Sequence, residues 1–278
     1  MKTLLCVLAT LSVLISCNPK IAAGVRKKDT RKDVEMLTSK GRIVLRLSDE
    51  TPGHRNNFIR LVKTRFYDSI LFHRVIKGFV VQTGDPRTKP AGRTDAAAAY
   101  TIPAEISPEF FHKRGALNAA RTGEETNPQQ ASSGTQFTMI QGKLMTDSML
   151  DLTEKRVTRM NAYKLVLQDP ANQWMLDRLK KYAAARQTDS AKLIRDQIDT
   201  LTVHKIAAIP AYRFPAERRT IYKTIGGAPH LDGNYTVFGE VISGMDVVDS
   251  IASVKTQQER PVQDVRIISV KLIQRAKN

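Results

Sequence analysis

Residues 72–85, FHRVIKGFVVQTGD, make a strand–turn–strand pattern folded about Lys77-Gly78 and closed by Gly84-Asp85. Short runs of the same kind recur over residues 98–104, 116–120 and 136–140, and Lys40-Gly41 joins DVEMLTS to GRIVLRLS as a hairpin. In the second of these, Ile43, Leu45 and Leu47 alternate with polar neighbours, the period of a half-buried strand. Many short strands with turn punctuation restrict a chain to a barrel or a sandwich. Within 72–85 lie Arg74 and Gln82, but neither the stretch nor its neighbourhood holds a serine–histidine pair, a reactive thiol or a carboxylate pair. Whatever chemistry resides here does not begin with an attack on the substrate.

Two segments depart from the strand period. TPGHRNNFIRLVKT starts with Thr51 as a helix N-cap and Pro52 at the first helical position, with Phe58, Ile59 and Val62 at helical spacing. From residue 147 to about 209 glycine is absent and the period is helical. One helix is expected over 147–168, ended by Asp169-Pro170. A second covers 171–187, with Trp174, Leu176, Leu179 and Tyr182 as its stripe. A third starts at Asp189 as N-cap and turns Leu193, Ile194, Ile198 and Leu201 to one side. Pro210 and Pro215 close the block, and glycine returns in IGGAPHLDGNYTVFGEVISG. A short helix over 245–252 and a strand over 265–273 complete the chain.

The first residues, MKTLLCVLATLSVLISC, carry Lys2 and an apolar run too short to span a bilayer, as in a signal peptide. Their ending, Leu14-Ile15-Ser16-Cys17, resembles a bacterial lipoprotein signal, which implies cleavage before Cys17 and acylation of it. Each buried acyl methylene adds about 0.8 kcal/mol of membrane affinity. Cys6 leaves with the leader, so the mature domain keeps no thiol for a disulfide. The expected organisation is a signal peptide over 1–16, lipidated Cys17 and a polar tether over 17–32, a β-rich domain over 33–142 and 220–278, and a helical insertion over 143–219. The 278 residues carry a formal charge of +17, spread without a basic–aromatic block or a zinc spacing. That surface suits anionic lipid rather than nucleic acid. His54, His112, His204 and His230 show no ligand spacing, so no metal and no cofactor are expected.

Four fragments in order, FHRVIKGFVVQTGD, GALNAAR, SGTQFTMI and LDGNYTVFGEVISGMDVVDSI, resemble the cyclophilin family of peptidyl-prolyl cis–trans isomerases. TPGHRNNF stands where the family's first helix belongs. The resemblance spans about residues 33–142 and 220–278. It implies a mainly β fold: a closed eight-stranded antiparallel barrel capped by helices, here with the helical module inserted. It also implies roles. Arg74 matches the catalytic arginine and Gln82 the glutamine that bonds the substrate carbonyl. Phe79 matches the floor of the proline pocket, Val80 a wall position often held by methionine, and Leu231 a pocket leucine. Ala120, Arg121 and Thr122 align with the backbone that pairs with an extended substrate. Gln136 matches a second glutamine near the arginine, and Tyr235 replaces a histidine common in eukaryotic members. Thr138 stands where a second pocket aromatic is usual, and His230 where some members place tryptophan. The first implies a weaker isomerase, the second poor binding of the cyclic peptide inhibitor.

The resulting expectation is an isomerase of X–Pro bonds in unfolded or folding exported proteins. It would be monomeric, lipid-anchored at a bacterial envelope and periplasm-facing. The alternative is a proline-binding chaperone or scaffold with little turnover, motivated by Thr138 and the helices.

Overall fold

The computed structural model describes residues 24–90 and 100–276; the leader, Cys17 and the tether up to residue 23 lie outside the described residues. The hairpin β1 (Lys32–Thr38) and β2 (Gly41–Leu47) leads into α1 (Pro52–Lys63), followed by β3 (Arg74–Ile76) and β4 (Val80–Thr83). Next come β5 (Thr101–Ile102), β6 (Ala116–Ala119), β7 (Ser132–Ser133) and β8 (Phe137–Ile140). Four helices follow: α2 (Asp147–Gln168), α3 (Gln173–Ala184), α4 (Thr188–Ala207) and α5 (Ala216–Thr224). The chain ends with β9 (Val237–Ser243), α6 (Met245–Ala252), β10 (Thr256–Gln257), β11 (Arg260–Pro261) and β12 (Ile267–Gln274).

Eight strands form one antiparallel sheet in the order β12-β1-β2-β9-β6-β8-β4-β3. The sheet curls. Where its two end strands begin, the N–H of Phe72 donates to the Val265 carbonyl at 2.9 Å and the N–H of Ile267 to the Ile70 carbonyl at 2.8 Å. No ladder joins β3 to β12 themselves, so the expectation of a barrel is met as a curled eight-stranded sheet.

Because side chains alternate along a strand, the sheet has two distinct faces. Val75, Val81, Met139 and Leu117 are opposed across β3, β4, β8 and β6, and all are buried on the inner face. Helices α1 and α6 add Phe58, Ile59, Val248 and Ile251 to the same core. Phe58 lies 5.0 Å from Tyr67, 5.1 Å from Phe137 and 5.5 Å from Phe238 between ring centroids. Burying each large apolar side chain contributes roughly 1.5–3 kcal/mol.

Helix starts differ from the sequence expectation. Thr51 precedes α1, but its hydroxyl is buried without a partner among the described residues. The first turn is capped from a distance by Glu105, whose carboxylate accepts the N–H groups of Gly53 and His54, both at 2.9 Å. A full negative charge against the helix N-terminus satisfies more of its free donors than one hydroxyl can. At α4, Gln187 holds the cap position and Asp189 lies inside the first turn. The foreseen stripes hold at Leu176, Leu179, Tyr182, Ile194, Ile198 and Leu201, and fail at Trp174 and Leu193. Trp174 is 43% exposed and Leu193 66%, while Met175, Leu176 and Leu179 meet Ala191, Ile194 and Ile198 in a core shared with Val166 and Leu167. Packed among three helices, α3 and α4 each bury only a narrow stripe. Trp174 lies outside it, under the Arg178 guanidinium.

Two carboxylates fasten the helices, Glu154 to one another and Glu125 to the sheet domain. Glu154 of α2 is buried and accepts from Arg213 Nη1 at 2.6 Å, Arg219 Nη1 at 3.0 Å and the Phe214 N–H at 3.0 Å. Glu125, beyond β6, accepts from Arg195 Nε of α4 at 2.9 Å and from the Tyr163 hydroxyl of α2 at 3.3 Å. Burial raises the Glu154 pKa, but Arg213, the Phe214 N–H and Arg219 together hold it below its ordinary 4.5. A carboxyl depressed in the folded state stabilises above its unfolded pKa, and that contribution is lost as pH falls through the folded value. Glu154→Gln is therefore expected to lower the thermal midpoint at pH 7. The difference from the unmodified protein should shrink as thermal melts are taken from pH 5 downwards, and a difference that stays constant to pH 3 would contradict the assignment.

Candidate active site

The outer face of the sheet carries two adjacent rows set by strand register. Arg74 opposes Gln82, Gln82 opposes Thr138, and Thr138 opposes Asn118, a polar row across β3, β4, β8 and β6. One step along, Ile76 opposes Val80 and Val80 opposes Ile140, an apolar row. Val80, Ile140, Ala116, Ala228 and Val237 form a small cluster on which Phe79 and Leu231 pack. A donor row thus borders a greasy recess.

Two glycines let the far wall approach. Gly142 has φ of +64°, and a Cβ there would lie 2.4 Å from the Gly227 Cα. Past this crossing the N–H groups of Gln141 and Gly142 both donate to the Phe79 carbonyl at 2.9 Å. The short 3-10 turn Pro229–Leu231 then brings His230 onto Phe79, ring centroids 5.0 Å apart. His230 is open to solvent at its surface, yet the protein behind the ring, more than nearby His112, lowers its pKa. Burial likewise lowers that of His73. Neither is poised as a cation at neutral pH.

Arg74 is held at one end and free at the other. Its Nε donates to Glu259 at 2.6 Å, and its Nη1 reaches Gln82 Oε1 at a long 3.4 Å. Gln82 Nε2 passes the chain on to Gln136 Oε1 at 3.1 Å. Among the described residues Nη2 has no partner, and the side chain is 39% exposed. Glu259 stands in the two-residue turn between β10 and β11, where Gln258 and Glu259 have φ of +48° and +65°. Both values are left-handed, the pattern of a type I′ hairpin turn, and each costs a non-glycine residue roughly 1–2 kcal/mol. The turn aims the Glu259 carboxylate at Arg74, and its carbonyl accepts the Val75 N–H at 2.6 Å.

Thr138 does not simply leave an aromatic wall missing. It is buried and donates its hydroxyl to Asn118 Oδ1, so a side-chain hydrogen bond lies beneath the recess. Beyond β6, the Ala120 N–H donates to the Gln136 carbonyl and its own carbonyl accepts the Ser133 N–H. The Arg121 backbone N–H and C=O have no partner among the described residues. The Arg121 side chain is folded away, bonded to the Asn234 carbonyl at 2.8 Å and to Glu124, with its guanidinium 4.4 Å from the Tyr235 ring centre. Thr122 accepts from Arg121 Nη1 through its carbonyl at 2.9 Å. Arg74, Gln82, Gln136, Thr138, Phe79, Val80, His230 and Leu231 therefore gather at one place. Ala120, Arg121, Thr122 and Tyr235 form its flank.

Sequence reasoning missed Glu259 and Asn118. Gln258-Glu259 lacks the glycine or asparagine that announces such a turn, and Asn118 becomes legible only once the register with Thr138 is known.

A family model described as cyclophilin type peptidyl-prolyl cis-trans isomerase/CLD matches residues 33–156 and 184–272. The chain is similar to a Staphylococcus saprophyticus protein named "Putative peptidyl-prolyl cis-trans isomerase", 27% identical over 86% of this chain and 90% of that one. A Staphylococcus haemolyticus protein of the same name is 29% identical over 87% and 92%. The fold is similar to a cyclophilin-type isomerase of Cryptosporidium parvum, with TM-score 0.50, 17% identity, and coverage of 88% of this chain and 99% of that one. The chain belongs to the cyclophilin-type peptidyl-prolyl cis–trans isomerases. Its activity is rotation about X–Pro bonds in proline-containing peptides.

Proposed function

We propose that this isomerase serves exported, folding proteins at a bacterial cell envelope, with Arg74 and Gln82 carrying the chemistry over a proline pocket floored by Phe79. The observation behind the site is the Arg74–Gln82–Gln136 chain bordering the recess of Phe79, Val80 and Leu231. An X–Pro bond resists rotation because amide resonance must be broken, a barrier of ~18–20 kcal/mol. At the half-rotated geometry the proline nitrogen regains its lone pair and can accept a hydrogen bond. The free end of Arg74, permanently charged, is the donor for it. Gln82 holds the substrate carbonyl while the recess holds the ring. An interaction made only at the twisted geometry lowers the barrier without tightening the ground state. The open backbone of Arg121 offers one rung for the substrate strand.

The envelope reading rests on the lipoprotein-like residues ending at Cys17. The domain reading, a signal over 1–16, a tether over 17–32 and a helical insertion over 143–219 within a closed barrel, rests on the glycine-free helices and on the bonds linking Phe72 to Val265 and Ile267 to Ile70. Val25 in the core and Lys32 at the start of β1 stand against a tether that runs to residue 32. Against the insertion bounds, the family model resumes at residue 184, within α3.

Arg74→Ala is expected to lower kcat/KM for a short X–Pro peptide by about a hundredfold, the usual cost of losing one aimed donor, and Arg74→Lys to recover part of it. Rates of Arg74→Ala within about twofold of the unmodified protein would remove Arg74 from the mechanism, since each tenfold corresponds to about 1.4 kcal/mol. For location, Cys17→Ser is expected to move the full chain from the membrane fraction to the soluble one in a bacterial host. Retention of the variant in membranes would refute lipid anchoring.

A further inference from the structure

The recess does not end at His230. A cavity of about 460 Å³ begins at Phe79 and His230 and runs between the β3–β4 turn and the first half of α2. Its apolar floor includes Met149 and Leu152 of α2, and Leu152 is 57% exposed, a large apolar side chain open to solvent. Lys77, Lys143 and Arg156 stand around it. Among the described residues none of the three makes an ion pair and none that lines the cavity is a carboxylate. Beyond Arg156 and His230 a second hollow of about 570 Å³ continues between α2 and α4. There the charges are already matched, Arg195 with Glu125 at 2.9 Å and Arg159 with Asp199 at 3.0 Å. Unmatched positive charge is thus concentrated in the compartment that adjoins the proline pocket.

We propose that this compartment is an extended substrate subsite, in which α2 and the β3–β4 turn bind an acidic, partly apolar stretch of the polypeptide flanking the isomerised proline. The inference rests on the reading of Phe79 and His230 as the proline pocket. A substrate chain leaving the pocket over His230 runs directly onto Leu152 and Met149, where an apolar side chain covers them. An aspartate or glutamate beside it meets Lys77, Lys143 and Arg156. The subsite would make sequence around the proline, and not the proline alone, decide which bonds are turned over quickly.

The test compares Ala-Pro peptides flanked on either side by Asp-Leu-Glu or by Lys-Leu-Lys, using the full chain. At low salt the acid-flanked peptide is expected to have a kcat/KM about fivefold higher on at least one side, from a few half-exposed ion pairs, with the ratio falling towards one near about 0.5 M salt. Lys143→Glu combined with Arg156→Glu should abolish or invert the ratio while turnover of the unflanked peptide stays unchanged. An acid-to-basic ratio near one at low salt, or a ratio the double variant leaves intact, overturns the subsite while the isomerase assignment stands. Should the unflanked peptide not be turned over at all, the site assignment fails. Fluorescence anisotropy of the labelled acid-flanked peptide then decides the subsite alone: weaker binding to the double variant supports it and equal binding overturns it.

Discussion

Strict alternation of side chains along β3, β4, β8 and β6 is the constraint on which the molecule depends. Valine, methionine and leucine on one face of this curled sheet build the core against α1 and α6. The same four strands, read one residue out of phase, present Arg74, Gln82, Thr138 and Asn118 on the other. A one-residue slip in register would exchange the two faces, burying a guanidinium and exposing the core. The core and the candidate site are set by one pattern, so the site inherits the rigidity of the sheet that carries it.

Around this frame, buried or half-buried carboxylates do the joining. Glu105 caps α1 from across the sequence, and Glu154 ties α2 to Arg213 and Arg219. Asp232 accepts from the His112 N–H at 2.9 Å and from the Tyr222 hydroxyl at 2.8 Å, fixing the segment that presents His230 and Leu231. Burial and the neighbouring Asp232 charge push the Tyr222 hydroxyl far up, so it remains a donor to that carboxylate. With every such group partnered, the helices sit beside the recess in a defined way.

Local patterns carried much of this architecture in the sequence. The hairpin at Lys40-Gly41, the strand–turn–strand of residues 72–85 and the helix bounded by Thr146 and Asp169 all follow from period and punctuation. Arg74, Phe79 and Gln82 were legible because a family resemblance ordered them; without it, Arg74 reads as one more surface cation. What stayed hidden depends on distant partners. Thr51 gave way to Glu105 as the cap, Trp174 and Leu193 turned outward once three helices shared one small core, and the α5 helix had no separate signal. Glu259 reaches Arg74 only because two non-glycine residues accept left-handed backbone in a tight turn.

The proposed catalysis depends on where one guanidinium stands relative to one nitrogen. A crystal structure of the protein with a bound Ala-Pro peptide tests that directly. The proline ring is expected against Phe79, Val80 and Leu231, with a guanidinium nitrogen of Arg74 within about 3 Å of the prolyl nitrogen. A peptide seated elsewhere, or an Arg74 paired only with Glu259 and turned from the ring, would contradict it.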